Sequence, residues 1–528
     1  MILEAIQKEI EALLPEKIAA QVAWQDNPEF GDVSSSVAFS LSKRGGRAPR
    51  EVAEELQEKL FASDTLGKIV KRIEIAGAGF LNFYLKREVF TKNTREILEE
   101  QENFGKNASL AGKKAIVEYT DPNPFKEFHV GHMMTNAIGE SLSRLFEAAG
   151  AEVKRANYQG DVGLHVAKAV WHFFKRGEGD LVPLAAGEDY VQGNIAYDED
   201  PNAKEEIDAI NKKIYERSDG KVNAAYDAGR KKSLEAFEEI YKTLGTKFDF
   251  YFFESEVQGR GREIVEEGLQ KRIFEKSDGA VVFRGEKYGL HTRVFINSQG
   301  LPTYEAKELG LSKIKYEKFS YDASLVVTAN EITEYFKVLL KAMELLCSDL
   351  AEKTYHVAHG VLRLPEGKMS SRTGKVIPFR ELLGEVKKVI LEKMGEVENK
   401  ENVAEKISLG AMKYSILKQS IGKDIVFDFK TSLSFEGDSG PYLQYTYARC
   451  RSVLRKAGGG RSEGAAPRSS KVEEAERMLL RFPDAIARAQ KEIDPHYIAT
   501  YLSELAQAFN NFYAREKIIG SPEEAEKL

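Results

Sequence analysis

The sequence predicts an α/β protein in which a parallel-sheet domain lies between an N-terminal α+β domain and an all-helical C-terminal region. Three observations carry this. Lys114 to Tyr119 is an apolar strand that passes through the turn Asp121-Pro122-Asn123-Pro124 into an amphipathic helix, Gly131 to Ala149. That is the βα step from which parallel sheets are built. A second strand-like run, Ser324 to Ala329, follows a long helical and charged stretch. From about Asn402 the pattern is helical, broken only by a Gly/Ser/Pro-containing linker from Gly458 to Ser470.

Residues 1–112 form the expected N-terminal domain. Helical patterns at Met1–Leu14 and Arg50–Phe61 accompany a strand–turn–strand run from Ile73 to Phe83. Gly77-Ala78-Gly79 within it is too short for a dinucleotide fingerprint and reads as a turn. The sheet domain spans 113–401, with an apparent insertion at about 172–290. The insertion is helical and charged through Ala203–Thr243, then aromatic at Phe248 to Phe253, which reads as a buried strand. Ala280–Phe283 and Arg293–Ile296 read as two further strands. The helical region takes 402–528, and no internal repeat is present.

Composition narrows the class. In a chain of 528 residues, 42% hydrophobic and 30% charged, no stretch approaches the roughly 20 apolar residues that span a bilayer. The N-terminus reads as an amphipathic helix with acidic residues, unlike a basic signal peptide. Two cysteines, Cys347 and Cys450, exclude a disulfide framework and a cysteine zinc site. The cytoplasm is the expected compartment. Net charge is −6, yet seven basic residues and one acidic residue occur between Pro441 and Lys471, with Tyr442, Tyr445 and Tyr447 at its start. Basic groups attract phosphates and aromatic rings stack on unpaired bases, so this stretch is a candidate RNA contact.

Two motifs carry the chemistry. His129-Val130-Gly131-His132 sits where the strand hands over to the helix. A helix N-terminus offers unpaired N–H groups and a positive dipole end, and two histidines there can face a triphosphate. Far downstream, Gly367-Lys368-Met369-Ser370-Ser371-Arg372-Thr373-Gly374-Lys375 is a glycine-bounded polar loop able to carry a lysine to phosphates. A second H-x-x-H, His356 to His359, lies in a Val-rich strand-like run and reads as structural.

With these motifs the chain resembles the class I aminoacyl-tRNA synthetases. The segments Val117 to His132, Asn157 to Gly163 and Gly300 to Leu309 resemble those of bacterial-type arginyl-tRNA synthetases, over a span from about Trp24 to the C-terminus. The resemblance implies a Rossmann-like catalytic domain, an N-terminal domain that grips the tRNA elbow and an all-α anticodon-binding domain. It implies activation of L-arginine by ATP to arginyl-adenylate, with tRNA present, and transfer to the terminal ribose of tRNA-Arg. Mg²⁺ enters as the counterion of ATP, with no zinc and no protein-bound metal, and the expected state is a monomer.

The resemblance also implies residue roles. His129, His132 and Lys368 are the expected catalytic residues; Gly131, Met369, Ser370 and Ser371 join them in holding ATP. Glu118, Asn123, Tyr304 and Glu308 are the expected arginine-binding residues, Glu118 and Asn123 at the substrate's α-amino end or in positioning contacts. Tyr304 and Glu308, four apart on one helix face, are assigned to the guanidinium, which demands carboxylates. Tyr447, Arg451 and Tyr513 are the expected tRNA contacts. Three departures stand out: Ala78 where the family has Pro, Glu308 where it has Asp, and Ile332 where it often has Gln. Family members also continue past the position of Leu528 with another helix. A synthetase-like tRNA-binding protein impaired in catalysis is the second reading at this stage, with the intact His129, His132 and Lys368 against it.

Overall fold

A computed structural model of the chain describes residues 2–14, 18–177, 183–365, 377–458, 471–521 and 524, with the backbone alone for 183–186. Contacts divide it into two units: residues 107–441 with 493–496, and residues 1–106 with 442–492 and 497–528. The sequence reading put the outer boundaries at 112/113 and 401/402. The contact division falls at 106/107 and 441/442, and the helix Lys400–Leu417, which packs against Phe379–Lys393 and Val130–Ala148, stays with the sheet.

The larger unit is built on a five-stranded, all-parallel sheet. Its spatial order is Thr354–His359, Ala323–Ala329, Lys114–Glu118, Glu152–Gln159, Phe250–Phe253. Numbered along the chain this is 5-4-1-2-3, so the winding reverses between Lys114–Glu118 and Ala323–Ala329. Ligands of open α/β sheets bind outside the carboxyl ends of the strands at such a reversal. Ile116, Val117, Leu325, Val326 and Val327 are almost wholly buried, as expected of strands covered on both faces. The helix Val130–Ala148 follows the first strand and packs against it closely. A Cβ on Gly139 would lie 2.2 Å from Cγ of Tyr119, so only glycine allows this approach.

The aromatic run is a strand, Phe250–Phe253, but it is the third strand of the central sheet. The expected insertion at 172–290 is therefore two excursions. Helices Pro183–Glu199, Pro201–Glu216 and Gly220–Leu244 precede that strand. After it come helix Glu254–Gln270 and a three-stranded antiparallel sheet containing both expected strands, Ala280–Phe283 and Arg293–Ile296. Sequence reading merged them because an edge strand of four aromatic residues has no period that ties it to a particular sheet.

The smaller unit joins the N-terminal α+β part to three C-terminal helices. Its antiparallel sheet has the order Val22–Trp24, Val33–Ser35, Phe80–Leu85, Val70–Ala76. Gly77 and Gly79 take positive φ in the turn between the last two strands in sequence. Within this unit the Trp24 indole donates to Asp484 Oδ2 at 3.2 Å and Arg87 pairs with Glu476 at 2.7 Å. The helix Glu474–Glu492 thus packs on the α+β part, which the reading as separate domains did not foresee.

Candidate active site

The backbone leaving the first strand is unusual. Thr120 and Asp121 have φ of 82° and 45°, and Phe125 has 67°. Positive φ at a β-branched residue is costly, roughly 1–3 kcal/mol, and such outliers cluster at functional sites. Surrounding hydrogen bonds hold this turn. Asn136 Nδ2 donates to Thr120 Oγ1 at 3.0 Å, Tyr158 N–H to Asp121 Oδ1 at 2.7 Å, and Gly160 N–H to Asn123 Oδ1 at 3.1 Å.

The turn delivers the chain to a helix N-terminus capped by the two histidines. Gly131 N–H donates to His129 Nδ1 and His129 N–H to His132 Nδ1, both at 3.1 Å, a reciprocal capping box made of imidazoles. The rings stack with centroids 3.6 Å apart at 20°. Burial, and then the nearby Lys126, push His129 down to about 4. Burial, then His129 and Lys126, hold His132 well below the usual imidazole range. Both rings are neutral at neutral pH. Because each Nδ1 accepts, each proton is assigned to Nε2, so each ring offers one N–H donor. Lys126 was not among the expected residues, although it stands three positions before His129.

The chain that follows the second motif is bonded to the first. Val130 N–H donates to Ile377 O and Phe379 N–H to Phe128 O, both at 3.0 Å, and His129 bridges Pro378. Residues 367–375, with Lys368, Met369, Ser370 and Ser371, lie outside the described residues. The described chain resumes at Ile377, two positions after Lys375 and beside His129. The other H-x-x-H is in strand Thr354–His359, where His356 Nε2 is 2.7 Å from Thr328 Oγ1 and its ring stacks on Phe336. This fits a structural role.

At the same sheet edge lies a cavity of about 410 Å³ lined by Glu118, Asn123, Tyr304 and Glu308, the four residues expected to hold arginine. They come from the strand end, the turn and helix Tyr304–Lys318. Tyr304 is 60% exposed and Glu118 is buried. Asp121, Tyr158, Glu254, Arg293 and Tyr335 also line the cavity, and Ile332, left out of the expected site, lines it too. Burial, then the charge of Glu118, push the Glu308 carboxyl up to about 8. The same two causes raise Asp121 well above the carboxylate range. Crowded buried carboxyls of this kind gain most from a cationic ligand. A Cβ on Gly160 would lie 2.5 Å from Asn123 Oδ1 and 3.0 Å from Glu254 Oε1. Gly160→Ala is therefore expected to crowd Asn123 and Glu254 and to destabilise the protein by roughly 1–3 kcal/mol, the cost of overpacking, measured by thermal unfolding.

Sequence reasoning missed Glu254, Lys307 and Lys315, which belong to two buried ion pairs at this site. The signal for Lys315 was present, since it follows Glu308 by seven residues and so shares its helix face.

On the C-terminal helices, Tyr447 and Arg451 are exposed and four apart on Gly440–Lys456. Tyr513 instead packs with Tyr445 around Arg449, whose guanidinium is 4.8 Å and 4.7 Å from the two ring centroids.

Comparison with known proteins agrees with this architecture. The family described as "tRNA synthetases class I (R), catalytic domain" matches residues 93–429. "Arginyl tRNA synthetase N terminal domain" matches 1–85, and "DALR anticodon binding domain" matches 443–528. The arginine–tRNA ligase of Clostridium beijerinckii is 32% identical over 99% of this chain and 93% of its own length. That of Treponema denticola is 32% identical over 97% and 90%. The solved arginyl-tRNA synthetase of Thermus thermophilus superposes with a TM-score of 0.78 at 26% identity, covering 100% of this chain and 94% of that one.

Proposed function

The chain belongs to the arginyl-tRNA synthetases and is an arginine–tRNA ligase, and from that premise we propose which of its residues perform the reaction. ATP is the activating substrate of the class I synthetases, and Mg²⁺ comes with it as the counterion of its phosphates. The arginine carboxylate attacks the α-phosphate, forming the mixed anhydride and releasing pyrophosphate. The terminal ribose 2′-hydroxyl of tRNA-Arg then takes the arginyl group and AMP leaves.

Both steps depend on alignment and on stabilising negative charge at phosphate. His129 and His132 act as neutral Nε2–H donors to the developing charge, at the positive end of the dipole of the helix that begins at Val130. Lys126 and Lys368 supply positive charge, and Gly131, Met369, Ser370 and Ser371 complete the ATP contacts. In the carboxylate-lined cavity Glu308 and Glu118 face the guanidinium, Tyr304 closes the mouth, and Asn123 serves the end nearer the histidines. Tyr447, Arg451 and Tyr513 contact tRNA. The enzyme works as a monomer in the cytoplasm. Among the described residues no helix is long and apolar enough to cross a membrane.

One observation carries the residue assignment: residues nominated from two distant segments line one cavity at the strand-order reversal, beside a helix N-terminus capped by both motif histidines. Pyrophosphate exchange with each of the twenty amino acids, with and without tRNA, tests it. Exchange restricted to arginine is expected, and exchange with another amino acid instead would overturn the assignment of the cavity. Lys368→Ala is expected to slow exchange by about 10²–10³, the range for losing one charge-stabilising donor. An unchanged rate with tRNA present would remove Lys368 from the mechanism.

A further inference from the structure

The helix Tyr304–Lys318 carries two buried lysines to which the reaction assigns no role. Lys307 Nζ donates to Glu254 Oε2 at 2.6 Å and to the Tyr215 hydroxyl at 3.1 Å. Lys315 Nζ donates to Glu118 Oε2 at 2.7 Å and to Ser324 Oγ at 3.2 Å. The side chains of Lys315 and Glu118 are each 1% exposed. Burying two charges costs several kcal/mol per ion, and apolar residues of similar volume often do as well for stability. An ion pair this deep is thus poorly explained by stability alone.

The pair is also asymmetric. Lys315 takes one oxygen of Glu118 from the side of Ser324, whereas Glu118 itself lines the cavity. Burial opposes the charge of Lys315, but Glu118, Tyr321 and Glu308 together outweigh it and hold the ammonium above its ordinary range. Glu308, on the same helix, lies close enough to both that Glu118 raises it and Lys315 lowers it.

We propose that Lys315 is a positioning residue for arginine recognition: by binding Oε2 of Glu118 it neutralises part of the buried charge and leaves the other oxygen to the substrate's guanidinium. This rests on reading the cavity as the arginine site. The other titratable and charged groups around the carboxylates are Asp121 on the turn, Tyr158 on the adjacent strand, Glu305 on the same helix as Lys315, Glu254 with its partner Lys307, Arg293, Tyr321 and Tyr335. With the ammonium gone, Glu118 and Glu308 face each other with no lysine between them, and the empty site takes up an additional proton that the guanidinium must displace.

The test is calorimetric binding of L-arginine to the full chain at pH 7.5 in two buffers of different ionisation heat, which counts protons released. Lys315→Met is expected to weaken arginine binding roughly 10- to 100-fold, as for loss of a charged hydrogen bond. It should also raise proton release by up to one per site and leave the Michaelis constant for ATP unchanged. Lys315→Arg is expected to restore both values. If Lys315→Met does not fold, Lys315→Gln, which keeps a donor and drops the charge, carries the same comparison. Wild-type affinity and proton count in a folded Lys315→Met or Lys315→Gln protein would overturn the proposal. If Glu308→Gln also binds arginine like wild type, the arginine reading of the cavity falls with it. If Glu308→Gln weakens binding and the Lys315 variants do not, the role of Lys315 alone is wrong.

Discussion

Replacing His132 by Asn is expected to lower arginine-dependent pyrophosphate exchange by about 10²–10³, with the melting temperature nearly unchanged. The substitution separates two jobs of one ring. His132 Nδ1 accepts from His129 N–H and closes the cap, which an Asn carboxamide oxygen can also do. With its oxygen in the cap, the Asn amide group falls short of the position of Nε2, so the donor to phosphate, and with it charge stabilisation, is what is lost. His132→Ala should show the same loss of rate and, in addition, about 0.5–2 kcal/mol of instability from the missing cap. Equal rates for wild type and His132→Asn would mean the ring is a cap and nothing more. A pH profile provides a second check. His129 is pushed down to about 4 and His132 well below the imidazole range, so neither should produce a step in rate near pH 6.5. Both folded-state values lie below the unfolded one, so the unfolded chain binds more protons and stability should rise with pH from about 4 to 6.5.

Glu308→Gln should raise the Michaelis constant for arginine by about 100-fold, the upper range for hydrogen bonds to a charged group, and leave that for ATP nearly unchanged. Parallel changes in both constants would show that Glu308 is not a guanidinium ligand. The carboxyl is pushed up to about 8 in the empty site by burial and Glu118. Arginine must therefore displace a proton at neutral pH, and wild-type affinity should climb toward a plateau above pH 8. The slope approaches about tenfold per pH unit if one proton is released. Asp121 shares this cluster, so the midpoint belongs to the group. Glu308→Gln should flatten the slope. Stability has the opposite sign: the folded state holds this proton more tightly than the unfolded chain, so its contribution is present below the unfolded value and is lost as pH rises through 8. Glu308→Gln, uncharged throughout, should melt higher than wild type above pH 8. A function that destabilises its own empty site is a common trade-off.

Much of this was legible along the chain. The apolar run Lys114–Tyr119 and the helix beginning at Val130 were legible because period and turn chemistry are local properties. Tyr304 and Glu308 were legible as a pair because helical spacing puts residues four apart on one face. That His129 and His132 cap the helix was one of the readings their place at the helix start allowed, since their spacing, first cap residue to third helical residue, is that of an ordinary capping box.

Other features depend on residues far apart in sequence. Glu118 and Lys315 are separated by 197 positions and Glu254 and Lys307 by 53. Neither partner has a local pattern that names the other. The strand Phe250–Phe253 found its sheet only through pairing with Ala156–Gln159, and that pairing split the expected insertion in two. The sequence by itself determined the local elements and the two motifs, because each is written in residues within a few turns of one another. Only the tertiary structure decided which carboxylates carry a buried lysine and which must hold a proton, because charge in a protein interior is set by whatever the fold brings within a few ångströms.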